Sequence, residues 1–165
     1  MKKIFSSILI VAALTVSGAQ AETTVVMDGV HNCCKGCANG ITKAVTSVKD
    51  ATADIDGETL TITAKNSTGA KKAVEAVMAA GYYGAMEGAE AAAPSDKVLK
   101  SATVEGVHLC CGKCVKAMTA AVTEVPGVTG ANIENKATSF TVEGEFKEGD
   151  LVAAMNKAGF HGSVK

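Results

Sequence analysis

VMDGVHNCC, residues 26–34, and TVEGVHLCC, residues 103–111, share one pattern position for position at a spacing of 77 residues. Further along, Ala80-Gly81-Tyr82-Tyr83-Gly84 matches Ala158-Gly159-Phe160-His161-Gly162 at a spacing of 78, so one residue has been inserted between the two matches. A self-similar chain is read first as a repeat. The 165 residues therefore divide into two copies of one unit of about 63 residues, and the fold problem reduces to that of a single copy.

Within a copy, Thr24 to Val30 is short and partly β-branched, which predicts a strand. Ile41, Ala44, Val45 and Val48 recur at three and four, the spacing of one helical face. Residues 53–63 alternate around the turn pair Asp56-Gly57 and predict a hairpin. Ala73, Val74, Val77 and Met78 mark a second helix that stops at Gly81, with a short last strand after it. The second copy repeats the first helix with Val115, Met118, Ala121, Val122 and Val125, then turns at Pro126-Gly127. Strand, helix, strand, strand, helix, strand is the ferredoxin-like order. The expected class is α+β, with two tandem βαββαβ modules, each a four-stranded antiparallel sheet carrying two helices.

Composition shifts set the boundaries. Met1-Lys2-Lys3, an apolar run through Val16 and the small residues Ala19-Gln20-Ala21 predict a signal peptide over residues 1–21. That run is short of the ~20 apolar residues of a spanning helix, so a secreted or periplasmic protein without stable membrane insertion is expected. Residues 22–87 form the first module, 88–98 a linker around Pro94, and 99–165 the second module. Cleavage removes two of 16 lysines and none of 17 acids, leaving a net charge of about −3. With no arginine and scattered lysines, the chain lacks the donors that nucleic-acid binders use. No nucleophile turn or phosphate loop is present, so an enzyme is not expected.

The six cysteines carry the chemistry. HNCCKGC, residues 31–37, and HLCCGKC, residues 108–114, fall where the first strand hands over to the first helix. Cys34 with Cys37, and Cys111 with Cys114, stand three apart at a helix start, where free N–H groups and the helix dipole favour thiolate. Two close thiolates suit a soft ion of low coordination, Cu(I) first and then Hg(II), whereas Zn(II) wants four ligands. Cys33, Cys110, His31 and His108 are candidate additional ligands. An extended chain through 31–34 would send His31 and Cys33 to one side and Cys34 to the other, so a joint site requires the loop to twist. Otherwise Cys33 and Cys110 would serve a second ion, a partner's cysteine or a bridge between modules. Two other readings stay open. One is a thiol–disulfide redox protein, because C-x-x-C at a helix start is also the oxidoreductase arrangement. The other is a disulfide-stabilised structural repeat, although three cysteines per copy is odd and the clusters are tight.

C-x-x-C after the first strand, Val125-Pro126-Gly127-Val128, and Ala-Gly before Tyr82 or Phe160 resemble the heavy-metal-associated domain family along nearly the whole of both modules. That family includes copper chaperones, modules of copper-transporting ATPases and a periplasmic mercury-binding protein. The resemblance implies Cys34, Cys37, Cys111 and Cys114 as the principal ligands, Tyr82 and Phe160 as rings flanking the site, and a metal-donor or metal-acceptor protein as partner. The sequence departs from the family at Asn32 and Leu109, where a buried Met is usual, and at the extra Cys33 and Cys110.

Overall fold

The computed structural model describes residues 21–88 and 95–165. The segment read as a signal peptide, apart from Ala21, and residues 89–94 of the linker lie outside the described residues. The N-terminal half runs β1 (Thr23–Met27), α1 (Lys35–Thr46), β2 (Ala51–Asp56), β3 (Thr59–Ala64) and α2 (Ser67–Ala79). The C-terminal half runs β4 (Val98–Glu105), α3 (Gly112–Thr123), β5 (Val128–Asn132), β6 (Ser139–Lys147), α4 (Glu148–Lys157) and β7 (Ser163–Val164). The protein is thus mixed α/β with two antiparallel sheets, ordered β1-β3-β2 and β5-β6-β4-β7. Among the described residues no helix is long and apolar enough to cross a membrane.

Period-two alternation builds both sheets. In β3, Leu60, Ile62 and Ala64 point inward while Thr59, Thr61 and Thr63 face out, with Leu60 opposite Met27 and Ile62 opposite Val25 on β1. The β2–β3 hairpin closes through Gly57-Glu58, and Gly57 at φ 59° supplies the positive φ that the first position of a tight hairpin turn needs. The first helix of each half buries one face at i, i+4 and i+8: Cys37, Ile41 and Val45 on α1, and Cys114, Met118 and Val122 on α3. Asn66 caps α2 by accepting from the N–H of Gly69 at 2.8 Å, worth about 1 kcal/mol. The core methionines Met27, Met118 and Met155 are fully buried packing residues.

Two expectations change. The last strand of the N-terminal half is reduced to a single bridge, Asp28 with Ala85, whose N–H groups bond across at 2.8 and 2.7 Å. In the C-terminal half the corresponding chain continues as β7, and Lys165 still exchanges hydrogen bonds with Thr103. The difference lies in the chain just beyond the bridge: Met86 and Glu87 do not continue the ladder, and a turn follows in which Gly88 has φ 74°. At the linker, β4 begins at Val98, within the stretch read as linker, because Val98 pairs with Lys147.

The halves meet at their helix C-termini. Both α2 and α4 end in a Schellman arrangement: Gly81, φ 89°, and Gly159, φ 81°, occupy C′, and the next N–H groups, those of Tyr82 and Phe160, reach back to Val77 and Met155. This places Tyr82 and Phe160 opposite one another as an isolated antiparallel pair, with Tyr83 donating to Gly159 and His161 donating to Gly81, both at 3.0 Å. A Cβ on Gly81 would run into the backbone N of His108, and one on Gly159 into the backbone N of His31. Glycine is required at both positions by conformation and by close approach. Buried side chains of both halves form one continuous core through this seam.

Candidate metal centre

Each first helix begins one residue after the cysteine pair. Cys34 and Cys111 are N-cap residues with extended backbones, φ −164° and −153°, and Cys37 and Cys114 sit in the first turn. The predicted helix-start positions are therefore observed. Docking along the Tyr82–Phe160 seam turns the two helix starts toward each other. All six cysteines are free thiols gathered in one cluster.

Sulfur–sulfur separations around the cluster run from 3.6 to 3.9 Å. Cys37 and Cys114 lie at the centre, fully buried, 3.8 Å apart across the seam. Cys33 Sγ is 3.7 Å from both Cys111 and Cys114, and Cys110 Sγ is 3.7 Å from Cys34 and 3.6 Å from Cys37. The alternative in which Cys33 and Cys110 point elsewhere is thus not the arrangement found. A sulfur that leans away from its own helix still lands against the other half's pair. Cys33 and Cys37 of one loop are also only 3.8 Å apart, so both sides of the loop reach the cluster.

The thiols are not equivalent. At the caps no side-chain hydrogen bond of conventional geometry forms, yet the N–H groups facing these sulfurs favour thiolate. The N–H of Cys37 holds the Cys34 thiol below its usual range against partial burial. The N–H groups of Cys114 and Lys113 bring Cys111 down to about 6. Burial pushes Cys33, Cys110 and Cys37 upward, and for Cys33 and Cys110 their sulfur neighbours add to it. Each half therefore pairs one cap sulfur whose pKa is lowered with at least one sulfur that burial holds toward the thiol form.

The histidines complete the wall. His31 stacks on Phe160 with ring centroids 4.2 Å apart, and His108 lies 4.5 Å from the Tyr82 ring, so each half's ring covers the other half's histidine. Burial lowers the pKa of both and keeps them neutral. The Nε2 atoms of both are buried without a hydrogen-bond partner, the condition of a ring nitrogen whose lone pair or proton is unspent. A ring nitrogen of His31 lies within 4.8 Å of the sulfurs of Cys33, Cys37 and Cys114. The Tyr82 hydroxyl donates to the Cys37 carbonyl at 3.2 Å and is turned to the helix start as a support, its own ionisation opposed by burial. Asp28 accepts from the Thr59 hydroxyl at 2.8 Å and serves the strand end. His161, also shifted down by burial, sits beside the seam. Lys35, Lys113 and Lys116 are exposed.

Sequence reasoning found every cysteine but missed their union. The signal was present in the duplicated Ala-Gly-aromatic stretch, whose glycines allow backbone contact between the halves.

The model of the heavy-metal-associated domain matches residues 102–161. Among solved structures, the N-terminal soluble domains of Bacillus subtilis CopA align at 18% identity over 88% of this chain and 95% of theirs, with a TM-score of 0.32. A structure of the water-soluble region of the P-type ATPase CopA from Bacillus subtilis aligns at 18% identity over 88% of this chain and 93% of its own, also at 0.32. No curated protein matches the sequence. The similarity to the heavy-metal-associated domain thus falls on the C-terminal half of the chain.

Proposed function

We propose that the protein is an exported, non-enzymatic carrier or buffer of a soft metal ion, Cu(I) before Hg(II) or Zn(II), built from two heavy-metal-associated modules at residues 22–87 and 99–165. The observation that carries the reading is the gathering of six free sulfurs within 3.6–3.9 Å of their neighbours, beside two neutral histidines. Thiolate sulfur selects Cu(I) and its soft relatives over hard cations, and an all-sulfur pocket offers no oxygen ligands for calcium or magnesium. Cys34, Cys37, Cys111 and Cys114 are the principal ligands of this reading, with Cys33, Cys110, His31 and His108 joining them. Handover would proceed by ligand exchange: a thiolate of a donor or acceptor protein adds to the bound ion, and a sulfur of this chain leaves and regains a proton. Cys34 and Cys111, at the rim of the cluster, are the entry points for such an exchange.

The test is native mass spectrometry of anaerobically reduced protein offered Cu(I), Zn(II) and Hg(II) in separate titrations. Retention of Cu(I) at stoichiometric concentration is expected. If none of the three is retained, the reading is wrong.

A second reading, thiol–disulfide exchange, is favoured by the lowered pKa of Cys111 at a helix N-terminus. It requires disulfide reductase or isomerase activity in metal-free protein that disappears in Cys111→Ser.

A further inference from the structure

The arrangement of the six sulfurs goes further than two separate ligand pairs. The sulfurs form several triads whose members lie within 4.8 Å of one another, and four of them make one consistent set: Cys33-Cys37-Cys114, Cys33-Cys34-Cys111, Cys34-Cys37-Cys110 and Cys110-Cys111-Cys114. Every sulfur belongs to two of these triads, and any two triads share a single sulfur. That is the pattern of alternate faces on an octahedron, whose opposite corners are Cys33 and Cys110, Cys34 and Cys114, and Cys37 and Cys111. A metal–sulfur bond of about 2.3 Å sets the sulfurs about 4.6 Å apart around a linear ion, about 4.0 Å apart around a trigonal one and about 3.8 Å apart around a tetrahedral one. The observed 3.9 Å for Cys34–Cys37 and 3.7 Å for Cys111–Cys114 are too short for a linear two-sulfur ion and fit ions held by three or four sulfurs. Three triads of this set draw sulfurs from both halves, and so do Cys33-Cys111-Cys114 and Cys37-Cys110-Cys114 of the opposite set, whereas Cys110-Cys111-Cys114 and Cys33-Cys34-Cys37 each lie within one half.

We propose that the six cysteines form one shared site for a polynuclear Cu(I)–thiolate cluster, with a full complement of about four ions, each on a three-sulfur face and each sulfur bridging two ions. The inference rests on the soft-metal reading and assigns Cys33 and Cys110 the role of bridging the halves through metal. Loading is ligand substitution without redox change: each S–H bond breaks, its proton leaves to solvent, and Cu–S bonds form while copper stays Cu(I). Six thiolates against about four Cu(I) leave a cluster charge of about −2, far less than bare thiolates would carry in a half-buried site. The cargo would then also clamp the two halves, because most faces draw sulfurs from both.

The experiment is anaerobic Cu(I) titration of the full reduced chain, read by native mass spectrometry and by X-ray absorption at the copper edge. More than two ions per chain, together with a short Cu···Cu scattering path, is expected, and Cys33→Ser/Cys110→Ser should fall to two ions or fewer and lose that path. Saturation of the unmodified chain at one or two ions without the Cu···Cu path overturns the cluster and leaves the soft-metal reading standing. A double variant that keeps both the full complement and the path also overturns it. Absence of any bound copper overturns both. The measurements on the unmodified chain decide the matter even if the double variant misfolds, which its far-ultraviolet circular dichroism would reveal.

Discussion

The two halves differ most where they should be most alike, in the residue before the cysteines. Leu109 is 2% exposed and packs in the core, whereas its counterpart Asn32 is half-buried and donates to the Gly57 carbonyl at 2.8 Å. The C-terminal half has four strands and carries the family match over 102–161, while the N-terminal half has three strands and a single bridge. Yet both contribute three sulfurs, one histidine and one ring, at equivalent positions around the cluster. The scaffold has drifted while the donor set has not. This is the outcome expected if the halves are held to a joint geometry at the seam and are individually free elsewhere.

The largest expected effect lies at the centre of the cluster. Cys37→Ser and Cys114→Ser each remove a fully buried sulfur that touches both halves. Loss of a ligand exceeds the 10–100-fold cost of losing a residue that merely supports one, so Cu(I) retention against a competing chelator should drop at least about 100-fold in each. Equal losses would show that the halves act as one site; a loss in only one variant would show that a single half binds.

The next effect separates the scaffolds. Leu109→Asn leaves a void and a buried amide and should lower unfolding free energy by about 3 kcal/mol, read from urea midpoints. Asn32→Leu, at a half-exposed position, should change it by less than about 1 kcal/mol. A similar cost at both would mean the two lead-in loops are packed alike.

Smaller still is the effect of the seam glycines. Gly81→Ala and Gly159→Ala force a side chain into left-handed backbone and against the other half's histidine N, at a cost of about 2 kcal/mol each. Oxidation of reduced protein and subsequent peptide mapping should then yield fewer disulfides between halves, such as Cys34–Cys110, than in the unmodified chain.

Most of the secondary structure was legible because it rests on local periods: the inward Leu60, Ile62 and Ala64 alternate, and Cys37, Ile41 and Val45 fall four apart. The cap positions of Cys34 and Cys111 were legible for the same reason. The missing fourth strand of the N-terminal half was not, since Tyr82 to Ala85 resembles its counterpart and the pairing stops at the Asp28–Ala85 bridge. Nor was the six-sulfur cluster. Treating each loop alone, an extended backbone does separate Cys33 from Cys34. What unites them is the opposite half, placed by hydrogen bonds between residues 81–83 and 159–161 that no local pattern announces.

The finest test compares the two cap thiols. In metal-free protein, Cys111 is lowered to about 6 first by the N–H groups of Cys114 and Lys113, with burial opposing only behind them. At Cys34 a single N–H leads and burial opposes directly after it, so the downward shift has less behind it. Only thiolate alkylates, so iodoacetamide labelling of Cys111 should be flat above about pH 6 and fall roughly tenfold per unit below it. Cys34 should be labelled more slowly than Cys111 just above that pH, and Cys33 and Cys110, pushed up by burial, should remain the slowest throughout. Peptide-resolved mass spectrometry from pH 5 to pH 8 would follow all four at once, with the caps labelled ahead of the bridging sulfurs. If Cys34 and Cys111 titrate together, the N–H groups at the two helix starts are equivalent, and the asymmetry of the halves stops short of the sulfurs themselves.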